Sequence, residues 1–357
     1  MSPTKIKLII YLDRVIDRTT MQARRRFKAP QILVVIMTSI LATCTISLYL
    51  TSNDRFKTTL FKGLTDMEKR SNFNIHPWEV FSTLKSMRKG KIIVYNRVGK
   101  CGSRTMIHLM ATLTKKLGYK VIGSTQNSNG EVTLREQVEL VDLIDQFQPP
   151  FIYHHHIRFV DFKRFGAVQP IYINLIRDPL ARMVSSYYYS RFGDHREGER
   201  NWSFKGTEEQ KNMTFDECVK KEMDDCVKPQ RVFYIIPYFC GNEAFCRKPT
   251  SQALEQAKKN VMENYLVVGV TEQLEDFLFV LEKLLPEFFT GVLDTYKTPD
   301  DNLNSRMTST RTANKRGPSP EVQEIMKKRM ELEYEFYDFV KERFNRLKAG
   351  LMSGKNC

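Results

Sequence analysis

The stretch IIVYNRVGKCGSRT, residues 92–105, predicts both the fold and a first functional site. Its first part, Ile92–Asn96, is short, apolar and β-branched, which is typical of a buried strand. Gly99 and Gly102 let the backbone come close to a ligand, and a helical pattern begins at Ser103. Because the free amides of a helix start attract anions, the segment predicts a phosphate-binding loop between a strand and a helix.

The lysine of this loop separates it from the common nucleotide-binding motifs. Lys100 precedes the second glycine, so the spacing is neither the Walker pattern GxxxxGK[ST] nor GxGxxG. Lys100 supplies a positive charge, and the hydroxyls of Ser103 and Thr105 can donate hydrogen bonds to phosphate oxygens. Taken alone, the segment also fits an ordinary strand-to-helix turn.

A second anion site is predicted at IRDP, residues 176–179, where another apolar strand ends. Arg177 can donate two hydrogen bonds to one phosphate. Ser185 lies eight residues later, about two turns into the helix that Pro179 begins, and could reach the same group. A surface Arg-Asp pair that caps a helix is the alternative. Two anion sites at two strand ends predict a ligand with two separated phosphate groups.

Apolar runs and helical patterns alternate through the rest of the chain. The predicted strands cover residues 92–96, 119–123, 151–158, 170–176 and 265–270. Helical patterns cover residues 103–117, 132–147, the segment after Pro179, 272–284 and 319–347. This alternation predicts an α/β domain with a central, mostly parallel sheet, which binds ligands beyond the carboxyl ends of its strands.

The N-terminal part of the chain predicts a membrane anchor. Residues 32–50 contain no charge over 19 positions, near the minimum for a transmembrane helix, and eight Lys and Arg precede them. Positive residues stay on the cytoplasmic side, so the bulk of the chain would be lumenal; a cleaved signal peptide is the alternative. The expected organisation is a cytoplasmic tail at 1–30, a transmembrane anchor at 31–51, a stem at 52–90, a lumenal domain at 91–348 and a C-terminal tail at 349–357.

Charge and cysteine usage fit a lumenal domain that binds anions. With 56 Lys and Arg against 41 Asp and Glu, the formal charge of +15 favours nucleic acid, a phospholipid surface or an acidic polysaccharide as partner. A lumenal location leaves no role for nucleic acid. N-glycosylation sequons begin at Asn201 and Asn212. Local disulfides are expected, with zinc as the less suitably spaced alternative, between two close cysteine pairs: Cys218 with Cys226, and Cys240 with Cys246.

Four segments resemble the polysaccharide 2-O-sulfotransferases, which act on uronic acids of heparan, dermatan and chondroitin sulfate. They are NRVGKCGSRT (96–105), IRDPLARMVSSYYYSRFGD (176–194), IPYFCG (236–241) and VGVTEQLEDF (268–277). The resemblance extends from about residue 91 to 346. It implies a three-layer, P-loop-like sulfotransferase fold and 3′-phosphoadenosine 5′-phosphosulfate (PAPS) as donor. It also implies a single-pass type II protein of the Golgi membrane, a possible homo-oligomer, that requires no metal.

The same resemblance implies roles for individual residues. Lys100 would contact the 5′-phosphate and the bridging oxygen, and Arg97 would lie near the sulfuryl group and the acceptor. Asp194 and Arg196 would contact the acceptor polysaccharide. The full set implied for the donor is Arg97, Lys100, Cys101, Gly102, Ser103, Arg104, Thr105, Arg177, Ser185, Tyr296, Thr312 and Lys315.

A histidine is expected to remove the proton of the acceptor hydroxyl. The run YHHH, residues 153–156, lies on a predicted strand, where His154 and His156 share a face. The resemblance places the base at His156, and His154 matches a second histidine of the heparan-acting branch. A metal site is the alternative, but zinc would need more ligands than this part of the sequence offers.

The leading hypothesis is sulfuryl transfer from PAPS to the 2-hydroxyl of iduronic or glucuronic acid in dermatan or chondroitin sulfate. The segments RVGKCGSRT and IIPYFCG resemble the uronyl branch, whereas YHHH resembles the heparan branch, so a heparan sulfate 2-O-sulfotransferase is one alternative. A non-catalytic glycan-binding membrane protein is another. A kinase-like P-loop protein fits less well, because it requires a Walker loop and magnesium-binding carboxylates.

Overall fold

The computed structural model describes residues 91–124, 130–196 and 204–353. The predicted anchor, the stem and the sequon asparagine Asn201 lie outside these residues. Within them, no helix combines the length and the apolar character needed to cross a membrane.

In the described residues, five strands form one parallel sheet in the order β2-β3-β1-β4-β5. They are β1 (Ile92–Asn96), β2 (Lys120–Gly123), β3 (Phe151–His155), β4 (Ile171–Ile176) and β5 (Tyr265–Val270). The central strand β1 pairs with β3 on one side and β4 on the other, so Tyr95 lies between His154 and Ile173. The predicted α/β fold with a parallel central sheet is confirmed.

Helices surround the sheet. They are α1 (Ser103–Leu117), α2 (Leu134–Gln146), α3 (Pro179–Phe192), α4 (Glu208–Asn212), α5 (Phe215–Lys220), α6 (Asp224–Val227), α7 (Pro229–Val232), α8 (Ile235–Cys240), α9 (Ser251–Asn264), α10 (Leu274–Leu284), α11 (Pro286–Phe289), α12 (Val292–Lys297), α13 (Asp301–Ser309), α14 (Pro320–Arg329) and α15 (Glu331–Met352). Three 3-10 helices cover Phe162–Phe165, Ala244–Arg247 and Thr271–Gln273. The long helix predicted over residues 319–347 is two helices, because the backbone of Met330 leaves the helical conformation.

Alternate residues of the strands pack against opposite helical layers. Ile93 and Tyr95 of β1 join an apolar cluster with α1 and α10, whereas Val94 joins a cluster with α2, α8 and α9. Because both faces of the sheet are covered, its strands are apolar without alternation, as expected for a parallel sheet. The result is three layers, with a smaller third cluster formed by α3, α5 and α14.

A buried polar network around Asn96, at the carboxyl end of β1, joins this strand to β4, to β5 and to the segment after β3. Asn96 Nδ2 donates to the carbonyls of Ile157 (3.4 Å) and Tyr238 (3.2 Å). Its Oδ1 accepts from Asn174 Nδ2 (2.9 Å) and from the Tyr265 hydroxyl (3.0 Å). The edge of the sheet from which the functional loops start is therefore cross-linked by hydrogen bonds.

Both predicted cysteine pairs lie at disulfide-bonding distance. The Cα atoms of Cys218 and Cys226 are 6.2 Å apart, and those of Cys240 and Cys246 are 5.6 Å apart. Each pair closes a short loop next to the helices that line the cleft described below.

Glu333 connects the last helix to the start of α8. Its side chain is 1% exposed and accepts hydrogen bonds from the backbone N–H groups of Tyr234, Ile235 and Ile236 at 2.8–3.1 Å. A carboxylate from one helix thus satisfies the amides at the N-terminus of another, which otherwise lack partners.

We expect Glu333→Gln to lower the free energy of unfolding by about 2 kcal/mol or more. An amide has one acceptor oxygen, so its NH₂ group would face a backbone donor inside the protein. Urea unfolding of the full chain measures the change. The control is Glu335→Gln, which removes an exposed pair with Lys258 and should cost less than about 1 kcal/mol. Equal losses in the two variants would contradict this role of Glu333.

Candidate active site

The loop after β1 has the backbone shape of an anion-binding concavity. Lys100 and Gly102 both have left-handed φ angles, 66° and 74°, and α1 begins at the next residue, Ser103. Such a sequence of turns directs successive backbone N–H groups toward one point. In the described part of the chain, no side chain caps this helix start, which leaves the site to a ligand.

A cleft of about 1460 Å³ lies beside this loop, and it is lined by predicted site residues from distant parts of the sequence. Eleven of the residues predicted from the sequence line it: Lys100, Gly102, Ser103, Arg104, Thr105, His156, Arg177, Ser185, Tyr296, Thr312 and Lys315. The two strand-end sites and the basic loop before α14 therefore border one space.

The environment of Lys100 is crowded with positive charge. Its Nζ lies 3.7 Å from the centre of the Tyr189 ring, a cation–π contact, and Arg104 donates to the Tyr189 hydroxyl at 3.2 Å. Burial, followed by the charge of Arg104, lowers the pKa of Lys100 to about 7, although Asp194 acts in the opposite direction. A bound phosphate would relieve both effects, which suits Lys100 to an anionic ligand.

The second anion site is completed by a residue far away in the sequence. Ser185 Oγ and Thr312 Oγ1 are 3.0 Å apart, although 127 positions separate them. The segment around Thr312 pairs with the end of α3 through an antiparallel bridge to Asp194 and a hydrogen bond from Ala313 N to Gly193 O (2.9 Å). Burial, with a contribution from Arg177, lowers the pKa of Lys315.

His156 has the orientation of a general base. Its Nδ1 lies 2.8 Å from the carbonyl oxygen of Arg97. A carbonyl can only accept, so in the neutral ring Nδ1 carries the proton and Nε2 has the lone pair. Burial, followed by the charge of Arg97, lowers the pKa of His156 to about 4, which keeps the ring neutral near pH 6.

The other histidines of the run have different surroundings. His154 does not line the cleft, and its ring lies where a side chain at Gly123 of the neighbouring strand would be. Its Nδ1 has no hydrogen-bond partner among the described residues. His155 is 5% exposed and points into the core beside Tyr153. Of the three, only His156 borders the cleft.

Four further residues predicted for the site do not line the cleft. Arg97 contributes its carbonyl to His156, and the thiol of Cys101 is fully buried, which raises its pKa to about 12. The Asp194 carboxylate has no exposed area and accepts from Arg196 Nε at 3.0 and 3.1 Å, with Arg104 at 3.8 Å. In this arrangement Asp194 orients two arginines.

Apart from Tyr296, the sequence interpretation missed the aromatic side chains of the cleft. Tyr189 contacts Lys100, and Tyr234 OH comes within 2.8 Å of the position that a Cβ on Gly99 would take. Tyr238 also lines the cleft. Tyr189 is in SSYYYS, Tyr238 is in IIPYFCG and Tyr234 directly precedes that segment, but neither spacing nor composition assigned them a role. In the described ranges, no group of three or more His, Cys, Asp or Glu side chains is placed to hold a metal ion.

Comparison with known proteins agrees with this geometry. The profile of the sulfotransferase family matches residues 86–340. The chain is 45% identical over 262 residues to the uronyl 2-sulfotransferase of Mus musculus, which covers 72% of this chain and 63% of that protein. It is 37% identical over 273 residues to the heparan sulfate 2-O-sulfotransferase 1 of Xenopus laevis, with 74% of each chain covered. The match thus spans less than two thirds of the mouse uronyl protein. The resemblance inferred from the motifs is confirmed: the chain belongs to the sulfotransferase family.

Proposed function

We propose that this protein transfers a sulfuryl group from PAPS to the 2-hydroxyl of uronic acid residues in dermatan or chondroitin sulfate. The observation that supports it best is the single cleft that contains two anion sites and His156. The donor has phosphates at both ends, which matches two sites better than the polyphosphate of ATP. The non-Walker spacing around Lys100 points the same way.

The residues present fit the donor. The left-handed turns at Lys100 and Gly102 and the start of α1 suit the 5′-phosphosulfate, and Arg177, Ser185 and Thr312 suit the 3′-phosphate. When bound, PAPS supplies the sulfuryl group and a nucleotide leaving group. Lys100 and the amides of the helix start would stabilise negative charge on the departing phosphate. The scheme requires no metal.

His156 supplies the base. Its Nε2 would take the proton of the acceptor hydroxyl while Nδ1–H stays on the Arg97 carbonyl, so the ring keeps its orientation. Arg97, Asp194 and Arg196 remain proposed contacts of the acceptor. Arg97 is beside His156, whereas Asp194 would act by holding Arg196 and Arg104 in place.

The protein would work as a Golgi enzyme. Its membrane anchor would be residues 31–51. Its disulfides and its glycosylated asparagines, Asn201 and Asn212, would lie in the lumen. Asn212 is exposed at the end of α4, as a glycosylation site requires. Self-association is part of this proposal by analogy with the family, without a specific interface.

Acceptor profiling tests the proposal. The full chain should move label from radioactive PAPS to the uronic acid 2-position of dermatan or chondroitin sulfate, in preference to desulfated heparan. The higher identity to the uronyl relative, 45% against 37%, favours this order. Preference for heparan would assign the alternative acceptor, and no transfer to any of these polysaccharides would refute the enzyme.

His156→Ala should lower kcat by roughly 10²–10⁴-fold, because the acceptor proton loses its base. Affinity for 3′-phosphoadenosine 5′-phosphate (PAP) should be unchanged, since the anion sites are intact. Radiolabel transfer and equilibrium PAP binding measure the two effects. His108→Ala, on α1 outside the cleft lining, is the control. Lost PAP binding in His156→Ala would place this residue in the donor site, and unchanged transfer would refute a base at His156.

The pH profile of kcat/KM for PAPS should be a bell with limbs near the pKa values of His156, about 4, and Lys100, about 7. The base must be deprotonated, so activity falls as pH drops through the lower value; the lysine must be protonated, so activity falls as pH rises through the upper one. Lys100→Arg should move the basic limb upward, because arginine stays charged. An acid limb at the ordinary histidine pKa of 6.5, or an unmoved basic limb, would contradict the assignment.

A further inference from the structure

One wall of the cleft has no part in the donor site or the base, and it is basic. Arg158 and Arg247 line it together with Glu131, and none of the three carries a sequence motif. They come from three separate segments: Arg158 follows β3, Arg247 ends the 3-10 helix Ala244–Arg247, and Glu131 precedes α2.

The two arginines converge on a single carboxylate. Arg247 Nη1 lies 2.8 Å from Glu131 Oε1, a normal hydrogen bond. Arg158 Nη1 lies 3.6 Å from Glu131 Oε2, and it is buried without a hydrogen-bond partner among the described residues. The Arg158 side chain is only 11% exposed. A buried guanidinium N–H without an acceptor is costly. Because the Arg158 side chain lines the cleft, an oxyanion of a ligand can supply the acceptor.

The location of Arg158 relates it to the reaction. It follows His156 by two residues, in a segment held by hydrogen bonds from Arg158 N to Gly130 O (2.6 Å) and from Phe159 N to Tyr238 O (2.8 Å). The Cα atoms of residues two apart are separated by at most about 7 Å, and both side chains line the cleft. An anion on Arg158 would therefore lie beside the sugar whose hydroxyl meets His156.

A purely structural ion pair explains the arrangement of these three side chains less well. Such a pair needs one arginine for one carboxylate, as in Arg164–Glu243 at 2.9 Å, which lies outside the cleft lining. At the cleft, one carboxylate faces two guanidiniums, so one positive charge remains uncompensated.

We infer that Arg158 and Arg247 form a subsite for a sulfate or carboxylate of the acceptor polysaccharide, next to the sugar that is sulfated. This inference rests on the proposed function and extends it. The subsite would set which pattern of anionic groups around a uronic acid is accepted.

The test is equilibrium binding of acceptor oligosaccharides to the full chain saturated with PAP. Three dermatan sulfate oligosaccharides of equal length are compared: the parent, a desulfated form and a carboxyl-reduced form. Arg158→Gln with Arg247→Gln should weaken binding of the parent by roughly tenfold or more, the loss expected for hydrogen bonds to charged groups. The control Arg164→Gln removes an arginine from a one-to-one pair and should leave the affinity unchanged.

The affinity that the double variant loses for each oligosaccharide identifies which anionic group the arginines bind. If the arginines bind sulfate, the double variant should lose affinity for the parent and the carboxyl-reduced form but not for the desulfated form. If they bind carboxylate, the double variant should lose affinity for the parent and the desulfated form but not for the carboxyl-reduced form. Equal losses for all three oligosaccharides, or no loss in the double variant, would overturn the inference.

Binding needs no catalysis, so the two proposals fail separately. Coupling without any sulfuryl transfer by the wild-type chain would leave the subsite and remove the enzyme. Sulfuryl transfer by the wild-type chain without coupling would support the enzyme and remove the subsite.

Discussion

The side chain of Asn96 is completely buried at the carboxyl end of β1 and makes hydrogen bonds to four different residues. A buried amide is tolerated only when its donors and acceptor are satisfied, so its partners must keep their positions. Those partners belong to β4, β5, the segment after β3 and α8. The phosphate loop, Arg177 and His156 all start from strand ends that this network joins. A shift of one of these segments would therefore break bonds in the others.

Positively charged side chains are concentrated beside this edge of the sheet. Lys100, Arg104, Arg177 and Lys315 line one cleft, and the lowered pKa values of both lysines record the resulting repulsion and burial. Such an arrangement is unfavourable without an anion, and it is found where a site has been built for one. Asp194 offsets part of the repulsion by binding Arg196 and lying near Arg104. Burial and positive charge also lower the pKa of His156, to about 4, so the two groups differ near neutral pH. The histidine is unprotonated, whereas the lysine, with a pKa of about 7, gains its proton fully when an anion binds beside it.

Local features of the chain were predictable, and contacts between distant segments were not. The bounds of β1, α1 and β5 could be read from continuous apolar runs, glycines and helical periodicity, which act over a few residues. The non-Walker spacing of the loop likewise separated it from the common nucleotide-binding motifs. The contact of Ser185 with Thr312 depends on how 127 intervening residues fold, and the convergence of Arg158, Arg247 and Glu131 depends on three separate segments. The strand predicted over residues 151–158 ends at His155, so His156 lies just beyond it. The His154 ring lies against Gly123 of β2, and His156 lines the cleft.

In the proposed reaction, the hydrogen bond between His156 Nδ1 and the Arg97 carbonyl also bears on how the base is restored after each cycle. Once Nε2 has taken a proton, the imidazolium stands buried beside the Arg97 guanidinium, the environment that already lowers its pKa to about 4. A cation with so low a pKa loses its proton readily at neutral pH, so return of the proton to solvent is energetically favourable. The same surroundings that make the ring a weak base thus favour its return to the neutral form.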